Sequence, residues 1–204
     1  MHRRTFILGL LLMPIQQSLF PAEQSGWDKT FFVMDTWFWQ ADRELDVPRQ
    51  AALIKELGYS GMALSWGQQH SERLKALKEN DLEIPGIFIT AEIDGEYPPQ
   101  LKNVVGFLKG TRALVWLSLA SKKYKNSDSA GDEAAAILIT RLADDLKTAG
   151  LPGIALYHHV GTWLERSADC VRLAERLKRP DVGMMFNQYQ LDGGRRRPRF
   201  TKDA

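Results

Sequence analysis

At 204 residues, 44% hydrophobic and 25% charged, the chain has ordinary globular usage and enough apolar residues for one domain with a core. Its net charge of +2 is unevenly spread: residues 192–204 hold five basic and two acidic side chains, and Arg3 and Arg4 stand near the start. Residues 23–191 are left with 20 basic against 23 acidic side chains, which excludes the cationic footprint that a nucleic-acid partner requires.

The opening MHRRTFILGLLLMPI is a basic stretch followed by an apolar run of about ten residues, short of the roughly 20 that span a bilayer. It has the make-up of a secretory signal peptide. Residues 1–22 are therefore expected to be removed after Ala22, leaving an exported protein, periplasmic or secreted, with no membrane segment. From there to residue 191 one grammar repeats: apolar strand, turn, amphipathic helix. The strand TFFVMDTW (30–37) precedes the helix VPRQAALIKELG, with Pro48 near its start and Gly58 just past its end. SGMALSW (60–66) precedes HSERLKALKEN, and EIPGIFITAEI (83–93) precedes PPQLKNVVGFLKG. TRALVWLSLA (111–120) precedes the long SAGDEAAAILITRLADDLKTAG, where Leu138, Leu142 and Leu146 recur at helical spacing and Gly150 closes the element. Ser129 is the expected cap there, with Asp132 and Glu133 complementing the helix dipole. GIALYHH (153–159) precedes LERSADCVRLAERLK, and DVGMMFN (181–187) is the sixth strand. The lone Cys170 excludes an intrachain disulfide and falls on a stripe with Val171, Ala174 and Leu177, as a buried small hydrophobe would. Residues 192–204 have no apolar period and are expected to form a basic disordered tail.

The strands are continuous apolar runs, as in sheets buried on both faces, and their alternation with helices implies right-handed βαβ units in a parallel sheet. An open doubly wound sheet and a (β/α) barrel both fit. No GxGxxG or GxxxxGK[ST] follows the first strand, where a nucleotide fold would place its phosphate loop. Polar and aromatic residues instead stand at the carboxyl ends of the strands: Asp35, Trp37, Trp66, Thr90, Glu92, Ser118, His158, His159 and Asn187. That is how a barrel site is built. The expected fold is α/β, an incomplete TIM-type (β/α) barrel of about six parallel strands with outer helices, over residues 23–191. A closed barrel has eight strands, so an open interior and self-association through unpaired edges are expected.

Several stretches carry a resemblance that goes beyond periodicity. FFVMDTWF, KELGYSGMALSW, KKYKNSDSAGDEAA and GIALYHHVGTWLERSADCVRLAERLKRPDVGMMFN together resemble the xylose isomerase-like TIM-barrel proteins, the sugar phosphate isomerase/epimerase superfamily, over residues 27–190. The resemblance implies sugar-like polyols and ketoses as substrates, proton abstraction next to a carbonyl, and a divalent metal, Mn²⁺, Mg²⁺ or Co²⁺, held by carboxylates and imidazoles from strands five to eight. On strand five, YHH resembles the Tyr-His-rich strand end of inosose dehydratase relatives. On strand six the family often places Asp or Asn, then His three residues later. Here Asn187 holds the first position and Gln190, a poor metal ligand, the second. With strands seven and eight missing, the resemblance implies an incomplete metal site and little isomerase activity, the alternative being a non-catalytic carbohydrate binder.

Glu92 and His159 are the candidate acid and base groups. Adjacent strand residues point to opposite faces, so at most one of His158 and His159 faces the barrel mouth, and His159, nearer the loop, is the better placed. Asp35, Trp37, Trp66, His158, Asn187 and Lys123 are candidates for substrate contact. Each has a plainer reading: Glu92 as a loop carboxylate beside Asp94 and Glu96, Asp35 as a turn cap, the tryptophans as packing, and Lys123 with Lys122 and Lys125 as a solvated loop.

Overall fold

The structure, a computed structural model, describes residues 31–38, 45–67 and 69–191. The expected signal peptide (1–22) and basic tail (192–204) lie outside the described residues. Six strands, β1 (Phe32–Met34), β2 (Gly61–Ser65), β3 (Gly86–Glu92), β4 (Leu114–Ala120), β5 (Ile154–Tyr157) and β6 (Val182–Met185), form one parallel sheet in the order of the sequence. The helices are α1 (Val47–Glu56), α2 (His70–Glu79), α3 (Pro99–Leu108), α4 (Asp132–Thr148), α5 (Ser167–Leu177) and a single turn, α6 (Gln188–Leu191). Short 3₁₀ turns cover Asp35–Trp37 and Ser129–Gly131.

Strand order decides between the two architectures. A doubly wound sheet reverses direction at a switch point, which sends helices to both faces. This sheet never reverses, so right-handed crossovers bring the helices to one side and leave a barrel wall, open between β1 and β6 among the described residues.

Alternation then gives the wall two unlike faces. Met62, Leu64, Ile87, Ile89, Val115, Leu117, Leu119, Ile154 and Leu156 belong to the buried core cluster, together with Ile54, Leu77, Leu101, Leu108, Ile139, Leu142, Leu146 and Leu173 of the helices. The residues between them, Phe32, Met34, Phe88, Thr90, Leu114, Trp116 and Met185, are only half-buried. The apolar runs thus serve two faces as expected, but cover lies over just one of them in the described residues.

Local chemistry fixes the element ends. Asp46 caps α1 by accepting the Arg49 N–H at 2.8 Å, with Pro48 in the first turn. The α4 start differs from expectation. Ser129 lies in the 3₁₀ turn, where Asp128 accepts the Ala130 N–H at 3.0 Å, and α4 has no side-chain cap. Asp132 and Glu133 lie in the first turn of α4, where the dipole favours them as expected, and they also pair with Arg172 (2.9 Å) and Arg176 of α5, which lashes the two helices together. On α5, Cys170 is buried with Asp169 and Leu173, whereas Val171 is 41% exposed and off the stripe assigned to it. Among the described residues no helix is long and apolar enough to cross a membrane.

Gly153 stands where α4 hands over to β5. Its φ is +134°, and a Cβ there would sit 2.1 Å from the Asp181 carbonyl oxygen, a backbone atom that cannot swing away. Gly153→Ala is expected to cost about 2–3 kcal/mol in urea unfolding. Gly106→Ala, on the exposed face of α3 with nothing within 4 Å, should gain about 0.5–1 kcal/mol.

His158 follows β5 on the helix side and is 1% exposed, with both ring nitrogens sealed from water and without a well-formed hydrogen bond. Burial holds its pKa below the ordinary imidazole value, and the neighbouring His159 adds to this, against the Asn187 carbonyl and the Asp169 carboxylate. The unfolded chain therefore binds a proton at His158 that the folded chain refuses, so stability rises with pH and is lost as pH falls below the unfolded value of about 6.5. Below pH 6.5 chemical denaturation should show stability falling as pH falls, with a slope of at most about 1.4 kcal/mol per pH unit, the limit for one proton. His158→Leu should flatten that slope.

Candidate functional site at the carboxyl ends of the strands

On the uncovered face, the register sets Phe88 of β3 beside Trp116 of β4, and Trp116 beside Ala155 of β5. Because Ala155 is small, the rings of Trp116 and Tyr157 lie nearly parallel, 6.5 Å between centroids. Phe88 meets Tyr157 edge-on at 5.0 Å and lies 6.2 Å from the His159 ring, and Tyr157 and His159 stack at 6.4 Å. Four aromatic rings from β3, β4 and the end of β5 thus form one wall. Trp116 can lie flat because position 86 is glycine: a Cβ there would come within 2.2 Å of the indole nitrogen.

The strand ends of β5 and β6 are tied by side chains. The Asn187 amide donates to the Tyr157 hydroxyl, and the Val160 N–H donates to Gln190 Oε1 at 3.0 Å. Burial pushes the Tyr157 hydroxyl above its ordinary pKa, against the pull of Asn187, so it stays protonated. β5 stops at Tyr157 because the next β4 carbonyl, Leu119, accepts the Leu164 N–H at 2.9 Å, and the intervening residues loop out. In that loop the His159 N–H donates to the Leu164 carbonyl, and His159 Nδ1 lies 2.9 Å from the Val160 carbonyl. His158 faces the opposite way, toward the buried helix layer, so the two imidazoles do not meet at one site.

The other candidates are dispersed. Asp35 is 1% exposed, and its two carboxylate oxygens accept the Ser65 N–H and hydroxyl, each at 2.8 Å, which fixes β1 to β2. Trp66 packs on His70 (4.2 Å) and Phe107 (5.9 Å), beside α2 and α3. Trp37 lies in the turn after β1. Glu92 ends β3, half-exposed and ion-paired to Lys122 Nζ at 2.9 Å, an interaction that raises the Lys122 pKa. Its neighbour Asp94 organises the loop after β4, accepting from the Ser121 hydroxyl and from the N–H groups of Lys122 and Lys123. Against the cost of desolvation, those donors hold the Asp94 carboxyl below its ordinary value. Lys123 lies over the Tyr124 ring at 5.0 Å. Thr90, Glu92, Asp94, Glu96, Gln100 and Ala120 line a cleft of about 490 Å³ at this corner of the mouth.

The structure therefore brings His159 and Asn187 together with Tyr157 and Phe88, places Glu92 two strands away at the cleft, and leaves Asp35, Trp66 and His158 in packing or hydrogen-bond roles. Tyr157 was missed as a site residue, although its spacing of two from His159 put both on one face. Among the described residues no group of three or more His, Cys, Asp and Glu side chains is placed to hold a metal ion.

No protein-family model and no curated protein matches the chain. Among solved structures it is similar to the probable 3-DHS dehydratase AsbF, involved in petrobactin synthesis, from Bacillus anthracis, with a TM-score of 0.62 and 12% identity over 81% of this chain and 65% of that one. It is similar to a protein from Sinorhizobium meliloti 1021 (TM-score 0.62, 14% identity, 80% and 64% covered). It also resembles the IolI protein with a binding zinc atom (TM-score 0.60, 13% identity, 79% and 63% covered). The chain spans just under two thirds of the length of these proteins. At such identities the likeness is one of fold alone, and it agrees with the incomplete TIM-type barrel expected from the sequence: six parallel strands of a barrel wall in chain order among the described residues.

Proposed function

We propose that the chain binds a sugar-like polyol or ketose at the carboxyl ends of β3 to β6 and carries out isomerase- or epimerase-type proton transfer next to its carbonyl. The observation that carries this reading is the wall of Phe88, Tyr157 and His159, flanked by the polar strand ends Thr90, Glu92 and Asn187. Aromatic faces suit the C–H faces of a sugar ring, and the polar groups suit its hydroxyls.

In this reading neutral His159 accepts the α-proton on Nε2. The electron pair of the broken C–H bond forms the enediolate double bond while the carbonyl π pair moves onto oxygen. Return of the proton to the neighbouring carbon isomerises the sugar. Delivery of a solvent proton to the original carbon from the other face, with His159 giving its own proton to solvent, epimerises it. Glu92, exchanging Lys122 for substrate, accepts the proton of the neighbouring hydroxyl, which becomes the new carbonyl, and delivers it to the former carbonyl oxygen.

The resemblance implies a divalent metal, but the donor groups of the described residues do not suit one. Both Asp35 oxygens are engaged by Ser65, Asp94 accepts from Ser121, Lys122 and Lys123, and Asn187 turns its amide nitrogen, a donor, to Tyr157, which leaves Glu92 without two further carboxylates or imidazoles grouped beside it among the described residues. No step is therefore routed through a metal. The engaged carboxylates also favour a second reading, carbohydrate binding without turnover.

The test uses the full chain and a panel of aldoses and ketoses in D₂O, with the α-proton followed by NMR. Exchange is expected on at least one sugar, unchanged by prior chelation and reduced at least about 100-fold by His159→Gln. Saturable binding with the α-proton intact would establish the second reading, and no binding across the panel would overturn both.

A further inference from the structure

Gln190 stands where the resembled family often places a histidine, and in this structure it accepts the Val160 N–H. The β5–β6 ladder ends at Tyr157 and Met185, so past that point the two strand ends are joined by side chains. Asn187 and Gln190, three apart, project from one side of the β6 end and reach Tyr157 and Val160 of the β5 end. Between those two anchors lies His159.

The chemistry of the turn sets the state of that ring. A carbonyl oxygen only accepts, so the 2.9 Å contact of His159 Nδ1 with the Val160 carbonyl requires the proton on Nδ1 in the neutral imidazole. Nε2 is then the nitrogen with the free lone pair. The Val160 carbonyl holds its direction only if residue 160 is held. Gln190 Oε1 takes the Val160 N–H from the β6 side, and Glu165 Oε1 takes the Gly161 N–H at 3.1 Å from the helix side.

We propose that Gln190 is a positioning residue: by holding the Val160 N–H it fixes the His159–Val160 peptide, while Glu165 holds the Gly161 N–H of the peptide that carries the Val160 carbonyl, and the two together keep His159 in the Nδ1–H tautomer with Nε2 as the proton-accepting atom at the mouth. The inference rests on the reading of His159 as the proton-transfer group, but its structural claim is measured separately. A metal ligand at position 190 would have to turn away from Val160 and would release this turn, so the glutamine and the free imidazole belong to one arrangement.

The test is ¹⁵N NMR of the imidazoles in the full chain at a pH where they are neutral, with His159 assigned by its loss in His159→Gln, together with amide hydrogen exchange. Wild type should show Nδ1 protonated and Nε2 bare. Gln190→Ala should enlarge the Nε2–H fraction and speed exchange of the Val160 amide, each at least about fivefold, the factor that one lost hydrogen bond carries. The Thr162 and Leu164 amides, whose backbone partners remain, should exchange as before and report that the fold is intact. Gln190→Glu keeps the acceptor and should restore the wild-type tautomer.

An Nε2–H tautomer in wild type, or a Gln190→Ala protein with unchanged tautomer and Val160 exchange, would overturn the inference. If the tautomer responds but no sugar loses its α-proton, the positioning stands and the catalytic reading falls. If sugars exchange but Gln190→Ala leaves the ring unchanged, the converse holds.

Discussion

Everything at the mouth of this fold depends on one constraint: six parallel strands, paired in chain order with their side chains alternating between two faces. Order without reversal commits the helices to one side. Alternation then commits every second residue to the helix layer and the rest to the barrel interior. Leu117 is fully buried and Trp116 half-exposed for this reason, though both are large apolar residues side by side in the chain. Just past the end of β5, His158 and His159 also part, one buried and one half-buried. One peptide step turns a sealed, proton-refusing imidazole into one that sits among aromatic rings.

Much of this was legible in the sequence because the signals were long. Six apolar runs separated by helical periods gave the element order, and Leu138, Leu142 and Leu146 are buried as their spacing required. What periodicity could not give was where each strand stops. The strand read over 30–37 ends at Met34, because the Asp35 carboxylate finds its donors on Ser65, thirty residues away. The strand read to 159 ends at Tyr157, because Leu164 captures the Leu119 carbonyl that the strand would have used. Both endings are set by partners distant in sequence. The cap assigned to Ser129 failed for a related reason: Asp128 organises that turn, and the acidic pair after it also holds arginines of α5.

The candidate site was legible by residue type more than by role. Polar groups at strand ends do gather at one end of the sheet, but most are already occupied. Asp35 holds β1 to β2, Asp94 holds the loop after β4, and Glu92 holds a lysine that is 81% exposed. A carboxylate that accepts two or three protein donors has less capacity left for a ligand. The exposed Glu92–Lys122 pair is the exception, since an ion pair in water is weak and yields readily to a competing partner. Glu92 is therefore the carboxylate of the set with the freedom to act.

The contrast between the two sides of the mouth follows from the same accounting of donors and acceptors. At β3 and β4 the loops are pinned by aspartate onto backbone N–H groups, which fixes the walls of a cleft and leaves Glu92 at its edge. At β5 and β6 the pins are neutral amides, Asn187 and Gln190, acting on a buried hydroxyl and a peptide N–H. Neutral pins matter here. An amide fixes the turn without placing a charge beside the half-buried imidazole. A neutral imidazole with one nitrogen tied to a carbonyl has a single lone pair to offer, and that is the property a proton-accepting group needs. The residues that make β5 and β6 poor ground for a metal are thus the ones that hold the turn around His159.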